Sequence, residues 1–259
     1  MLSYQHHYHA GNAADVHKHA VLAWVLDYLA RKPKPLSYIE THAGRGLYDL
    51  ADAAAVKTGE ASGGVGRLET ALPVDHPYRR CLDAVRARHG ATAYPGSPLI
   101  AGWGCDPATA CIWPSCIPAS RRIWSRRWRR SARMSASRTG LSSRTACRPP
   151  TPRRGLMLVD PSYEVKTDYD AIPRHLARIA KAWNVGVLML WYPILSPPRH
   201  DGMLTTLRAA FPDALRHEVR VPAPQKGRGM TGSGLFVVNP PYGLADEAAR
   251  ISTIFDANS

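Results

Sequence analysis

Apolar positions in this chain recur with two spacings. Leu22, Val25, Leu26 and Leu29 fall three and four residues apart. That spacing predicts a helix, which Asn12 or Asp15 can cap and which Pro33 and Pro35 end near Arg31. Leu36 to Ile39 then reads as a short strand entering a tight turn, Glu40 to Gly46. Gly155-Leu-Met-Leu-Val-Asp160 and Gly186-Val-Leu-Met-Leu-Trp191 are continuous apolar runs, the pattern of strands covered on both faces. A helix from about Asp168 to Trp183 lies between them. A second helix near Met203 to Ala210 and strands near Arg216 to Val221 and Gly234 to Val238 follow. Strands alternating with helices imply an α/β fold with a mostly parallel sheet and ligands at the strands' C-terminal ends. The Ala- and Gly-rich stretch from Ala51 to Ala93, helical around Tyr78 to His89, reads as an excursion from that sheet.

Composition narrows the class. At 259 residues and 45% hydrophobic content the chain can bury a large core. The longest apolar run, around Val187 to Leu195, is too short to span a bilayer. The N-terminus carries Gln5, His6, His7 and His9 in place of an apolar signal core, so a cytoplasmic protein is expected. Five cysteines, an odd number with no Cys-x-x-Cys pair, argue against a disulfide framework and against common zinc sites. The net charge of +14 suggests a nucleic-acid partner. Its distribution is uneven, because Trp103 to Arg148 holds ten arginines against one acid, Asp106.

Three local features carry candidate chemistry. Glu40 at a strand end followed by Gly44-Arg-Gly46 has the form of a nucleotide-binding first loop, where a Cβ would block a ligand from backbone N–H groups. A plain strand-to-helix turn fits the same residues. Tyr94-Pro-Gly-Ser97-Pro is a turn whose Ser97 hydroxyl can cap the next helix or meet a ligand. Asp160-Pro-Ser-Tyr163 places a carboxylate, the Pro161 carbonyl and an aromatic ring after a buried strand. Acceptors so placed can hold an exocyclic amino group while Tyr163 offers a face for the base. An ordinary Asp-Pro turn is the alternative. The N-terminal histidines lack helix-face spacing and an accompanying carboxylate cluster, so no metal is expected.

Taken with Leu2-Ser-Tyr4, His9-Ala-Gly-Asn12, Lys18-His19, Thr41-His-Ala-Gly44, Lys166-Thr-Asp-Tyr169, Leu190-Trp-Tyr-Pro193, Gly229-Met-Thr-Gly-Ser-Gly234 and Val238-Asn-Pro-Pro-Tyr242, these features resemble one family. It is the bacterial 23S ribosomal RNA adenine-N6 methyltransferases of the RlmJ type. The resemblance covers residues 1–101 and 151–242. It implies a single Rossmann-like class I methyltransferase domain over residues 1–259, with a small helical insert at 51–93. It implies S-adenosyl-L-methionine as cofactor and 23S rRNA as partner, with no metal and no membrane. By position it implies cofactor contacts at His19, His42, Gly44, Gly46, Ser97 and Asp160. Catalysis falls to Asp160 with Pro161 and Tyr163, and substrate contacts to Tyr4 and Lys18. Lys18, Arg45, Lys226 and Arg228 are candidates for phosphate contacts, ordinary solvated charge being the alternative. The chain beyond Tyr242 reads as curtailed.

Residues 103–148 depart from the family pattern. The family's Glu-Leu-His-Pro-like strand end, whose Glu holds the cofactor ribose, and its later Asp-Gly are both missing. In their place are four of five cysteines, four of seven tryptophans and three Arg-Arg pairs. A basic arm with Trp124 and Trp128 interleaved for stacking is one reading, which makes the chain a non-catalytic RNA-binding protein. Out-of-frame translation is the other. Codons begun at the third base of the written ones can turn Cys111 to Pro118 into His/Tyr-Leu-Ala-Glu-Leu-His-Pro, and Arg138-Thr-Gly140 into Asp-Gly. Both missing motifs return in order and in one frame. On that reading the segment is irregular or poorly packed, because arginines cannot line a strand buried on both faces.

Overall fold

The helix expected after Asn12 spans Ala13–Ala30 (α1), and the Asn12 side chain caps it by accepting from the Asp15 N–H at 2.9 Å. The computed structural model describes residues 6–104, 110–112, 149–221 and 229–258. Strand Ser37–Glu40 (β1) leads into the turn and then into a short strand, Leu47–Asp49 (β2). Short helices Ala53–Thr58 (α2), Glu60–Gly63 (α3) and Val65–Leu68 (α4) precede a longer one, Pro77–His89 (α5). The chain returns through Ala93–Pro95 (β3), which pairs antiparallel with β2 and ties off the base of this helical excursion.

After helix Ser97–Gly104 (α6) comes a short strand, Ala110–Ile112 (β4). The second half contributes Gly155–Val159 (β5), Asp168–Ala182 (α7), Val187–Ser196 (β6) and Asp201–Ala210 (α8). It ends with Leu215–Arg220 (β7), Gly229–Val238 (β8) and Leu244–Asp256 (α9). Among the described residues the chain beyond Tyr242 forms a helix and no further strand, with Ile251 and Phe255 in the core. Among the described residues the main sheet has six strands in the order β4-β1-β5-β6-β8-β7. Strands β4, β1, β5 and β6 run parallel, and β8 runs antiparallel to both its neighbours.

Strands β6 and β8 are each ten residues long and pair almost throughout. They extend past the strands expected from the sequence, by residues 192–196 in β6 and 229–233 in β8. Gly234 shows why a small residue stands there. A Cβ at that position would lie 2.2 Å from the Tyr192 ring.

Two apolar layers sandwich the sheet. Leu156, Leu158, Met189, Leu235 and Val237 face α1 and α5, while Met157, Val159, Leu188, Leu190 and Phe236 face α7 and α8. The period-two alternation of strand side chains sorts them. Helix α1 is buried over most of its circumference, between the sheet on one side and α5, α6 and α9 around it. Residues 105–109 and 113–148, which hold most of the Arg/Trp-rich stretch, lie outside the described residues.

Candidate active site

Strand alternation also determines which polar groups meet. Glu40 shares a face with Tyr38, Asp160 with Leu158 and Trp191 with Met189, and that face is the one α1 crosses. Glu40 and Asp160 therefore stand at the C-terminal ends of β1 and β5, and Trp191 just past the part of β6 that pairs with β5; all three look toward the same helix.

Lys18 of α1 meets them. Its ammonium lies 2.7 Å from Asp160 Oδ2, 3.1 Å from Asp15 Oδ1 and 5.5 Å from the centroid of the Trp191 ring. Two carboxylates around a Lys side chain only 5% exposed offset the cost of burying its charge. Asp15 also accepts from the Gly11 N–H at 3.0 Å and lies 3.1 Å from His6 Nε2. Burial alone would raise the Asp15 pKa. His6 and Lys18 outweigh it and hold the carboxyl well below its usual range. Asp160 remains partly exposed, and among the described residues its Oδ1 accepts from no donor.

Glu40 is fully buried and takes two hydroxyl donors, Ser97 at 2.5 Å and Tyr38 at 3.1 Å. Burial pushes its pKa up to about 7 against the opposing pull of the Ser97 hydrogen bond. Next to it, the Thr41 N–H donates to the Leu158 carbonyl at 3.0 Å, and Thr41 Oγ1 lies 2.8 Å from His42 Nδ1. Burial lowers the His42 pKa, partly opposed by Asp160. The glycine turn is drawn in on itself. The Tyr48 hydroxyl accepts from the Arg45 N–H at 2.9 Å, and a Cβ at Gly44 would come within 2.6 Å of that hydroxyl. Gly46 accepts from the Gly96 N–H at 3.0 Å, which joins this turn to the one bearing Ser97.

Lys18, His42, Ser97 and Asp160 come together as a group, with the Gly44–Gly46 turn beside them. Two other expected residues are turned elsewhere. His19 is 1% exposed and its Nδ1 meets the Tyr94 hydroxyl at 2.9 Å, so it supports packing between α1 and β3. Tyr163 has a left-handed backbone, φ 55°, which swings its ring into the layer under α7. There it packs 4.7 Å from the Tyr169 centroid and donates to the Trp191 carbonyl at 2.8 Å. Its face is covered rather than offered to a base. Pro161 is buried in the same loop. Tyr4, Lys226 and Arg228 lie outside the described residues.

Two participants were not legible as site residues: Asp15, which reads as a helix cap, and Trp191, which reads as the end of an apolar run; Glu40 was legible at its strand end, but not as a hub for hydroxyl donors. A cavity of about 320 Å³ lined by His7, Arg45, Tyr48, Asp49 and His89 opens beside β2 and β3, and it includes none of Lys18, Ser97 or Asp160. Among the described residues no group of three or more metal-ligating side chains converges, and no helix is long and apolar enough to cross a membrane.

A mostly parallel sheet with an antiparallel strand inserted near one edge, and a carboxylate at the end of a central strand, define a class I methyltransferase fold. The family model described as "Ribosomal RNA large subunit methyltransferase D, RlmJ" matches residues 33–257, and the chain belongs to that family. It is 35% identical over 256 residues to ribosomal RNA large subunit methyltransferase J of Escherichia coli strain K12, covering 97% of this chain and 91% of that protein. The Haemophilus influenzae protein of the same name is 34% identical over 259 residues, covering 92% of its length. The crystal structure of protein LPL1258 from Legionella pneumophila superposes with a TM-score of 0.84 at 31% identity, covering 97% of this chain and 96% of that one.

Proposed function

We propose that this chain belongs to the S-adenosylmethionine-dependent enzymes that methylate N6 of an adenine in 23S rRNA. The observation that carries the reading is Asp160. It stands at the end of β5 with one oxygen anchored by Lys18 at 2.7 Å, and among the described residues no donor meets the other. An adenine amino group has two N–H donors. Asp160 Oδ1 accepts one and the Pro161 carbonyl the other, which turns the nitrogen lone pair toward the cofactor side of the site. Positioning is the main catalytic contribution of such a site. Lys18 balances the Asp160 charge and fixes its rotamer.

The residues present fit the methionine end of the cofactor. Glu40, Ser97, His42 and Asp160 cluster at the ends of β1 and β5, where a neutral or anionic carboxyl beside a hydroxyl suits an amino-acid moiety. S-adenosylmethionine, when bound, supplies the sulfonium methyl group. The family's ribose-binding Glu is missing from the sequence, and the place where it would fall lies outside the described residues. We infer from the out-of-frame reading of that stretch that cofactor affinity is weak. Isothermal titration calorimetry of this chain should show no micromolar binding, and a micromolar Kd would refute the inference. Asp160→Ala should abolish transfer to a 23S rRNA fragment while RNA affinity measured by anisotropy stays within about twofold. Undiminished transfer in that variant would remove Asp160 from the mechanism.

The ten arginines of residues 103–148 favour a second reading, a non-catalytic RNA-binding protein. Its mark is a salt-steep affinity that Asp160 does not influence, without any methyl transfer.

A further inference from the structure

Five side chains form a continuous hydrogen-bonded chain behind the site. Trp191 Nε1 donates to Ser233 Oγ at 3.0 Å, and Ser233 Oγ lies 2.8 Å from His17 Nδ1. His17 Nε2 lies 2.9 Å from His217 Nδ1, and His217 Nε2 lies 2.8 Å from Ser252 Oγ on α9. An indole N–H can only donate. The Ser233 hydroxyl accepts it and passes its own proton to His17 Nδ1. His17 must then carry its hydrogen on Nε2 and give it to His217 Nδ1, and His217 does the same toward Ser252. One fixed donor sets two tautomers and the direction of four hydrogen bonds. The reversed arrangement strands the hydroxyl proton of Ser233, which is 0% exposed. Burial, and for His17 the neighbouring His217, favours the neutral imidazoles the chain needs, with Glu218 opposing at His217.

The front of the chain reaches the reaction centre. The Trp191 ring lies under the Lys18 ammonium, the Trp191 carbonyl holds the Tyr163 hydroxyl, and Lys18 follows His17 directly on α1. We propose that Trp191 is a positioning residue, locked by Ser233, His17, His217 and Ser252 so that Lys18 is held against Asp160. The proposal rests on the methyltransferase reading for its purpose, while its geometry can be tested without turnover.

The test uses the full chain labelled with 15N at histidine, tryptophan and lysine. His17 and His217 should both show the neutral Nε2–H pattern over roughly pH 6 to 8. Ser233→Ala should speed exchange of the Trp191 indole proton about tenfold and displace the Lys18 ammonium resonance. Trp191→Phe, which keeps a ring and removes the donor, should displace the same resonance and covers the case in which Ser233→Ala does not fold. An Nδ1–H tautomer or a cation at either imidazole overturns the proposal, as does a Lys18 resonance that neither variant moves. In a transfer assay each variant should lower kcat about tenfold with cofactor KM within about twofold, and the double variant should be no worse than the poorer single. Unchanged kcat overturns the proposal. A wild-type chain that transfers no methyl group counts against the methyltransferase reading alone, since the labelled-chain measurements still decide the rest.

Discussion

Glu40 is the residue whose environment departs furthest from what its neighbours in sequence suggest. Its folded pKa of about 7 stands above the ordinary carboxyl value of 4.5. The folded state therefore holds this proton more tightly than the unfolded chain does. The group favours folding at low pH, and that contribution falls as pH rises from about 4.5 to 7 and is absent above. Glu40→Gln keeps an acceptor for the Ser97 hydroxyl and removes the titration. The variant should lose this decline and gain on the order of 2 kcal/mol over the parent at alkaline pH, read by urea unfolding at acid and alkaline pH. An unaltered pH profile would mean that Glu40 is ionised at no such cost. Little of this was readable beforehand. The sequence showed an acid at a strand end and a serine in a distant turn. The Gly96-to-Gly46 link joins the turn after β1 to the turn bearing Ser97, and the fold brings the two within hydrogen-bonding distance.

Elements were legible where packing follows a simple period and illegible where it does not. The apolar runs of β5 and the core of β6 declared themselves because both faces are covered. The first half of β8, Gly229 to Ser233, reads as a loop because it is rich in small residues, of which Gly232 clears space for Ile194 as the following Gly234 does for Tyr192. Gly234→Ala should consequently cost about 3 kcal/mol by forcing the Tyr192 ring out of place, whereas the same change at the open Gly63 should cost almost nothing. Thermal unfolding of the two variants checks the contrast. The helical excursion is held in a similarly hidden way. His9 Nδ1 lies 2.9 Å from Glu60 Oε1, Asn12 Nδ2 donates to Glu60 Oε2 at 3.1 Å, and the Val65 N–H donates to the Gly11 carbonyl at 2.8 Å. The His-Ala-Gly-Asn motif thus acts as a clamp between the start of α1 and α3–α4, a purpose that spacing alone does not announce.

For the whole molecule, charge is the property that sequence reports best and interprets worst. The excess of +14 is real, yet its densest part is the Arg/Trp-rich stretch, residues 103–148. Replacing Arg121, Arg122, Arg126, Arg127, Arg129 and Arg130 by serine should weaken RNA binding uniformly across sequences. It should also reduce the slope of log K against log salt by at most about four. Filter binding across a salt series measures both, and a sequence-selective loss would contradict the expectation. The polar chain behind Trp191 has a consequence of another kind, in the order of assembly. His17 reaches partners 216 and 200 residues further along, and Lys18 reaches one 142 residues on. Contacts so distant along the chain close slowly, since each must overcome a long loop's entropy. During synthesis the N-terminal helix waits, its buried polar groups unanswered, until the last strands and helix have left the ribosome. The polar chain behind Trp191 is therefore among the last parts of the molecule to form.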